Sequence, residues 1–203
     1  MGKNRLEAFS DGVLAIIITI MVLELKIPEG KGIEALLLIF PTFLSYILSF
    51  IYVGIYWNNH HHLLHTLQKV TGPVLWANHH LLFWLSLVPF ASGWMGANPS
   101  AKVPAALYGI VLLMASIAYH VLQKMIINAQ QRSSTLKQAI GNDTKGKVSM
   151  LVYLTASGLA IIQPWIAQAL YVILAMLWLI PDRRLENMLY STEAISDKRI
   201  ADL

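Results

Sequence analysis

The sequence predicts an all-α integral membrane protein of six transmembrane helices with both termini cytoplasmic. Three observations predict it. The 203 residues are 56% hydrophobic and 13% charged, whereas soluble domains carry about 25% charged residues. The apolar residues gather into six runs, roughly 6–26, 33–62, 74–96, 103–127, 148–163 and 165–181. The basic residues divide unevenly between the two sides that six crossings would create.

A membrane-spanning helix takes about 20 predominantly apolar residues. The first four runs meet this, and the second is long enough to extend beyond the bilayer, with Pro41 predicting a bend near its start. Runs five and six are short and divided by Gln163-Pro164, so residues 148–180 also read as one long helix. Charge decides between the two readings. Six crossings put Lys3, Arg5, Lys69, Lys124, Arg132, Lys137, Lys145, Lys147, Arg183, Arg184, Lys198 and Arg199 on one side, and Lys26, Lys31 and Lys102 on the other, 12 against 3 of the 15 basic residues. Basic residues mark the cytoplasmic face. Five crossings would send the tail's four outside.

Residues 1–181 are therefore one transmembrane domain and residues 182–203 a short cytoplasmic tail, in which Leu185, Met188 and Leu189 would share a helical face. Pro28-Glu29-Gly30-Lys31-Gly32 and Gly96-Ala97-Asn98-Pro99-Ser100 read as external turns. The sizeable polar loop, about 128–147, is cytoplasmic. The first run carries Asp11 near its start and lacks a small-residue cleavage site, so it is retained rather than cleaved as a signal peptide. Without cysteine there are no disulfides, thiolate metal sites or cysteine nucleophile. The basic excess belongs to membrane topology, and no nucleic-acid partner is implied.

The first helix concentrates the informative residues. Arg5, Ser10 and Asp11 stand at its entrance, where an ionisable group needs a partner; Arg5 and Asp11 are the natural pair. Further along, Ile16, Thr19, Ile20 and Leu23 share one face at helical spacing. Spacing by itself fits lipid-facing or helix-packing side chains best. The sharper reading is a pore lined by bulky aliphatic side chains, since hydrophobic constrictions gate channels by dewetting. Glu24 and Lys26, just beyond, shape an outer mouth or pair with each other.

Arg5-x-x-x-Phe9-Ser10-Asp11 before an Ile- and Thr-containing helix resembles the first-helix motif of the lysosomal transmembrane-protein-175 potassium channel family and its bacterial relatives. Trp57-Asn-Asn-His60 is similar to the Trp-x-x-His of that family's second helix, and Asn78 with Pro89-Phe90 to the Asn and Pro of its third. The resemblance covers the six-helix unit in order. It implies that the first helices of the assembled channel line the pore. Ile16 and Leu23 match the constriction, Thr19 the threonine that contributes to potassium preference, and Ile20 is a neighbouring lining residue. Arg5, Ser10, Asp11, Trp57, His60 and Asn78 match a polar network that holds the first helix. The eukaryotic protein has two six-helix repeats and works as a dimer, so a chain with one implies a homotetramer. One helix per subunit also encloses no pore unaided. A single repeat resembles the bacterial members, which implies a plasma membrane location. The implied function is a potassium-preferring cation channel with no cofactor, whose partners are the bilayer, potassium and other monovalent cations.

No Thr-Val-Gly-Tyr-Gly filter is present, and no Asp or Glu lies within the candidate pore face. An apolar constriction makes the ion shed or squeeze its water, which potassium does more readily than sodium, so the expected preference is modest. Two other readings come from different classes. His61 and His65, four apart among His60, His61, His62, His65, His79, His80 and His120, have a spacing that a membrane metallo- or haem protein exploits. No acidic residue lies near this run, and hydrogen-bonding or titrating histidines explain it more simply. A secondary transporter would show paired repeats, and none is visible. Gly141-Asn-Asp-Thr-Lys-Gly146-Lys147 nearly matches a phosphate-binding loop, yet Val148 stands where Ser or Thr is needed and no strand precedes it. Trp94 and Tyr108 fall near predicted helix ends and fit an interfacial aromatic belt.

Overall fold

The computed structural model describes residues 2–129 and 143–179. Among the described residues every regular element is helical: α1 (Lys3–Leu23), α2 (Ile33–His65), α3 (Gly72–Ser86), α4 (Val88–Ala97), α5 (Lys102–Ala129), α6 (Thr144–Ala160) and α7 (Pro164–Leu179). Four stretches are long and apolar enough to cross a membrane: α1, α2, the α3–α4 pair and α5. The tail at 182–203 and most of the polar loop lie outside the described residues.

At 33 residues α2 is the longest helix, about 50 Å against a hydrocarbon core of about 30 Å. It runs through Pro41 as a continuous helix. The third apolar run is instead two helices. α3 ends at Ser86 and α4 restarts at Val88, with Pro89 in its first turn, where a missing N–H does no harm. α6 and α7, 17 and 16 residues long, are separate helices. Trp178, near the end of α7, donates from Nε1 to Ser149 Oγ at 2.8 Å, near the start of α6. The two are thus an antiparallel hairpin, turned at Gln163-Pro164, and residues 148–180 are not one helix.

Cross-helix contacts set which ends meet. Lys3 Nζ donates to the His65 carbonyl at 2.7 Å, joining the start of α1 to the end of α2. Tyr119 on α5 donates to the Asn59 carbonyl on α2 at 3.2 Å, and His120 lies 3.5 Å from Asp143 at the start of α6. Gln168 on α7 donates to the Pro99 carbonyl at 2.7 Å. Residues 24–32, 98–101 and 161–163 therefore gather at the end opposite Lys3.

The core centres on α5. Ala105, Ala115 and Ala118 are fully buried, as are Ala156 and Ala160 on α6; small residues let apolar helices approach closely without a hydrophobic driving force between them. Tyrosines tie α2, α5 and α7 together. Tyr52 donates to the Tyr171 carbonyl at 2.6 Å, and Tyr171 to the Ala105 carbonyl at 3.1 Å. A side chain on Gly109 would collide with the Tyr171 and Ser157 hydroxyls, so glycine is what admits Tyr171. Tyr108 corrects the expectation of an interfacial position. It is fully buried, its hydroxyl 3.0 Å from Ser49 Oγ, because a partner inside the bundle satisfies the phenol without the headgroups.

Candidate functional site

On α1, Leu6, Ser10, Leu14, Ile17 and Met21 recur every three or four residues and are buried against the other helices. The opposite face is bare in the protomer: Ile16 is 58% exposed, Ile20 42% and Leu23 80%, with Thr19 exposed between them. The structure thus brings the four candidate pore residues to one uncovered stripe. Thr19 donates its hydroxyl proton back to the Ile16 carbonyl at 2.8 Å. With the proton engaged, the oxygen's lone pairs stay available to an electropositive partner.

Behind the stripe runs a buried polar relay. His60 Nε2 lies 2.7 Å from Asn78 Oδ1. An amide oxygen only accepts, so Nε2 carries the proton. Asn78 Nδ2 donates to Ser10 Oγ at 3.0 Å, and Ser10 donates to the Leu6 carbonyl at 2.9 Å. All three side chains are at most 2% exposed. The relay binds α2 to α3 and α3 to α1, each of its three side chains donating to an acceptor, as an apolar surrounding favours.

Two further residues of the expected network meet separately. Trp57 donates from Nε1 to Asp11 Oδ1 at 2.9 Å, between exposed side chains of α2 and α1. Arg5 does not pair with Asp11. Six positions along a helix turn about 240°, which puts the two on different faces, whereas ion pairs form at three or four. Lys3 and Glu7 show the permitted spacing, at 3.8 Å. Arg5 is exposed and makes no ion pair among the described residues.

The histidines do several different things. His61 stacks on Trp57, with centroids 6.1 Å apart, and its ring is 6.3 Å from that of His65. His79 stacks on Phe9 at 5.5 Å, and His80 accepts from Trp84 Nε1 at 3.0 Å. Among the described residues no three of His, Asp and Glu converge as metal ligands. His120 and Asp143 lie 23 positions apart with no motif to connect them, so nothing in their spacing announced them. Asp143 also accepts from the Gly146 N–H at 3.1 Å and caps α6. The described part of the near-match to a phosphate loop is accordingly a helix cap.

Antiparallel apolar helices, a buried relay at the base of α1 and a bare stripe above it define a multi-pass helical membrane protein. Its first helix is only partly covered by its own chain. Comparison with known proteins gives the family. Residues 5–89 match the model for the endosomal/lysosomal potassium channel TMEM175. The chain is 55% identical over 189 residues to a potassium channel of Chryseobacterium sp., covering 93% of this chain and 98% of that one. It is 30% identical over 185 residues to a potassium channel of Chamaesiphon minutus, covering 85% and 91%. It superposes with a TM-score of 0.75 and 26% identity on the crystal structure of a lysosomal potassium-selective channel TMEM175 homologue from Chamaesiphon minutus, covering 89% of this chain and 97% of that one. The chain belongs to the TMEM175 family of potassium channels, and it matches the two bacterial potassium channels over nearly their full length. It is a membrane channel and not an enzyme, which removes the histidine-enzyme reading.

Proposed function

We propose that four copies of this potassium channel subunit close around an axis lined by α1, with Ile16 and Leu23 as the constriction. The bare α1 stripe carries the reading. Ile16, Thr19, Ile20 and Leu23 face away from their own protomer, on the side opposite the buried stripe. Aliphatic rings at Ile16 and Leu23 would dewet the path at rest. Thr19 would offer lone pairs to a partly dehydrated potassium ion, with Ile20 beside it. Ser10, Asp11, Trp57, His60 and Asn78 are structural: they hold the angle and depth of α1, whereas the exposed Arg5 would join them only through a contact made in the assembled channel. Potassium and other monovalent cations are the permeants, and no cofactor takes part.

In this reading residues 1–181 form the channel domain, with six crossings and both ends cytoplasmic, in the plasma membrane. The alternation of helix directions supports it. Lys3, Arg5, Lys69, Lys124, Lys145 and Lys147 belong to the loops and helix ends of one side, while Lys26, Lys31 and Lys102 belong to the other.

Potassium flux through the purified protein in liposomes tests the pore. Leu23→Ala is expected to raise the flux while native mass spectrometry still finds tetramers. Unchanged flux from intact tetramers would take Leu23 out of the constriction, and a dimer or monomer that conducts would end the fourfold reading.

A further inference from the structure

Beyond the pore, a second site lies where α1 ends. A cavity of about 410 Å³ opens between the end of α1, the first half of α2 and α4. Its walls include Leu38 and Thr42 of α2 and Phe90 and Trp94 of α4, the last two stacked with ring centroids 6.1 Å apart. Glu24 and Lys26 also line it. Neither has an ion-pair partner among the described residues, so the expected pairing of the two with each other is not made.

The position of Glu24 is electrostatically incomplete. It is the C-cap of α1, where unsatisfied carbonyls make the helix end negative and disfavour a carboxylate. It also leans on α4: a Cβ on Gly93 would sit 3.3 Å from Glu24 Oε2 and 3.6 Å from its Cβ. The side chain thus lies along the α4 wall of the cavity while the residue stays exposed. A cationic hydrogen-bond donor would answer both the carboxylate and the helix end. Lys26 asks for the reverse, an anion. Apolar and aromatic walls surround both, in a volume within the usual range of ligand sites. Trp94 is partly exposed three residues before the end of α4, a position that suits an interfacial tryptophan.

We propose that this cavity is a binding site for a zwitterionic phospholipid with a primary ammonium, phosphatidylethanolamine. Its ammonium donates to Glu24, its phosphate accepts from Lys26, and its first acyl carbons lie along Leu38 and Phe90. Each feature selects this occupant. An anionic lipid such as phosphatidylglycerol would suit Lys26 but face the Glu24 carboxylate. Phosphatidylcholine has the charges but no N–H to donate to Glu24. A free metal ion would make no use of the apolar walls.

The test is competitive retention. Full-length protein in detergent is incubated with equimolar phosphatidylethanolamine, phosphatidylcholine and phosphatidylglycerol, and the lipid retained after washing is counted by mass spectrometry. The native chain is expected to favour phosphatidylethanolamine by about tenfold, the worth of one charge-assisted hydrogen bond. Glu24→Gln and Lys26→Gln should each bring the ratio near unity, and Glu24→Asp should keep most of it. Melting temperatures without lipid should match, since both side chains are exposed. Equal retention of the three lipids by the native chain overturns the site. So does a preference for phosphatidylglycerol, or one for phosphatidylethanolamine that survives both glutamine variants. Efficient disulfide cross-linking between neighbouring subunits through Lys26→Cys and Trp94→Cys would also overturn it, because a second copy would then fill the cavity. The native-chain ratio decides the question even where a variant fails to fold.

Discussion

α1 and α5 solve opposite problems with the same kinds of residue. In the most apolar window of α1, 28% of residues are buried in the protomer, and in that of α2 22%. The corresponding share for α5 is 50%. α5 is wrapped by its own chain and held by phenols that donate to backbone carbonyls, through glycine and alanine contacts that bring helices close. α1 touches its chain along one stripe and is held by a directional relay, His60 to Asn78 to Ser10. A helix that is to be covered by something other than its own protomer keeps a bare face, so its fixings must be few and specific. A helix enclosed by its own chain is fixed by packing. On the proposed reading, the difference separates a scaffold from a working surface.

Substitutions on the two sides break the comparison to different extents. Gly109→Leu is expected to be most damaging, about 3 kcal/mol, because the new side chain displaces Tyr171 and Ser157 from a closed contact. The readout is the melting temperature in detergent, together with the fraction that elutes as a single species. No change there would mean that the α5–α7 contact yields easily and is not the rigid side. Asn78→Leu comes next, at about 2 kcal/mol, since it strands the His60 N–H and leaves Ser10 without its donor. Unfolding that matches the native chain would remove the relay as the fixing of α1. Tyr52→Phe deletes one bond to the Tyr171 carbonyl but keeps the ring, so about 1 kcal/mol is expected. Trp57→Phe should cost about 0.5 kcal/mol or less, because water replaces the exposed bond to Asp11. A loss as large as that of Asn78→Leu would show that this surface is covered in the assembled channel.

Much of this was legible in the sequence because composition and period are local properties. Apolar runs marked the helices, and i, i+3, i+4, i+7 spacing put Ile16, Thr19, Ile20 and Leu23 on one side of α1. The Arg-x-x-x-Phe-Ser-Asp, Trp-x-x-His and Asn elements gave the family resemblance. Other features depended on distances that no spacing encodes. Arg5 and Asp11 read as a pair from charge alone, yet helical geometry separates them and an indole from α2 takes the aspartate. Tyr108 read as interfacial from its place near a helix end, yet Ser49 and Tyr171 hold it inside. The break of the third run at Leu87 was carried only by Pro89, which permits a restart without requiring one.

The sequence by itself determined that this chain lives in a bilayer, where its helices lie and which family it resembles. These follow from the cost of exposing polar backbone to hydrocarbon and from the helical repeat, which act residue by residue. Only the tertiary structure decided which polar groups meet. Asn78 stands 68 positions from Ser10 and 18 from His60, and the relay exists because the packing of α1, α2 and α3 brings three buried polar groups to one depth. The same packing left one face of α1 bare and, among the described residues, left Glu24 and Lys26 without an ion pair over a cavity. A hydrogen bond or a cavity is a property of helices placed together, and that placement is decided by the whole set of contacts at once.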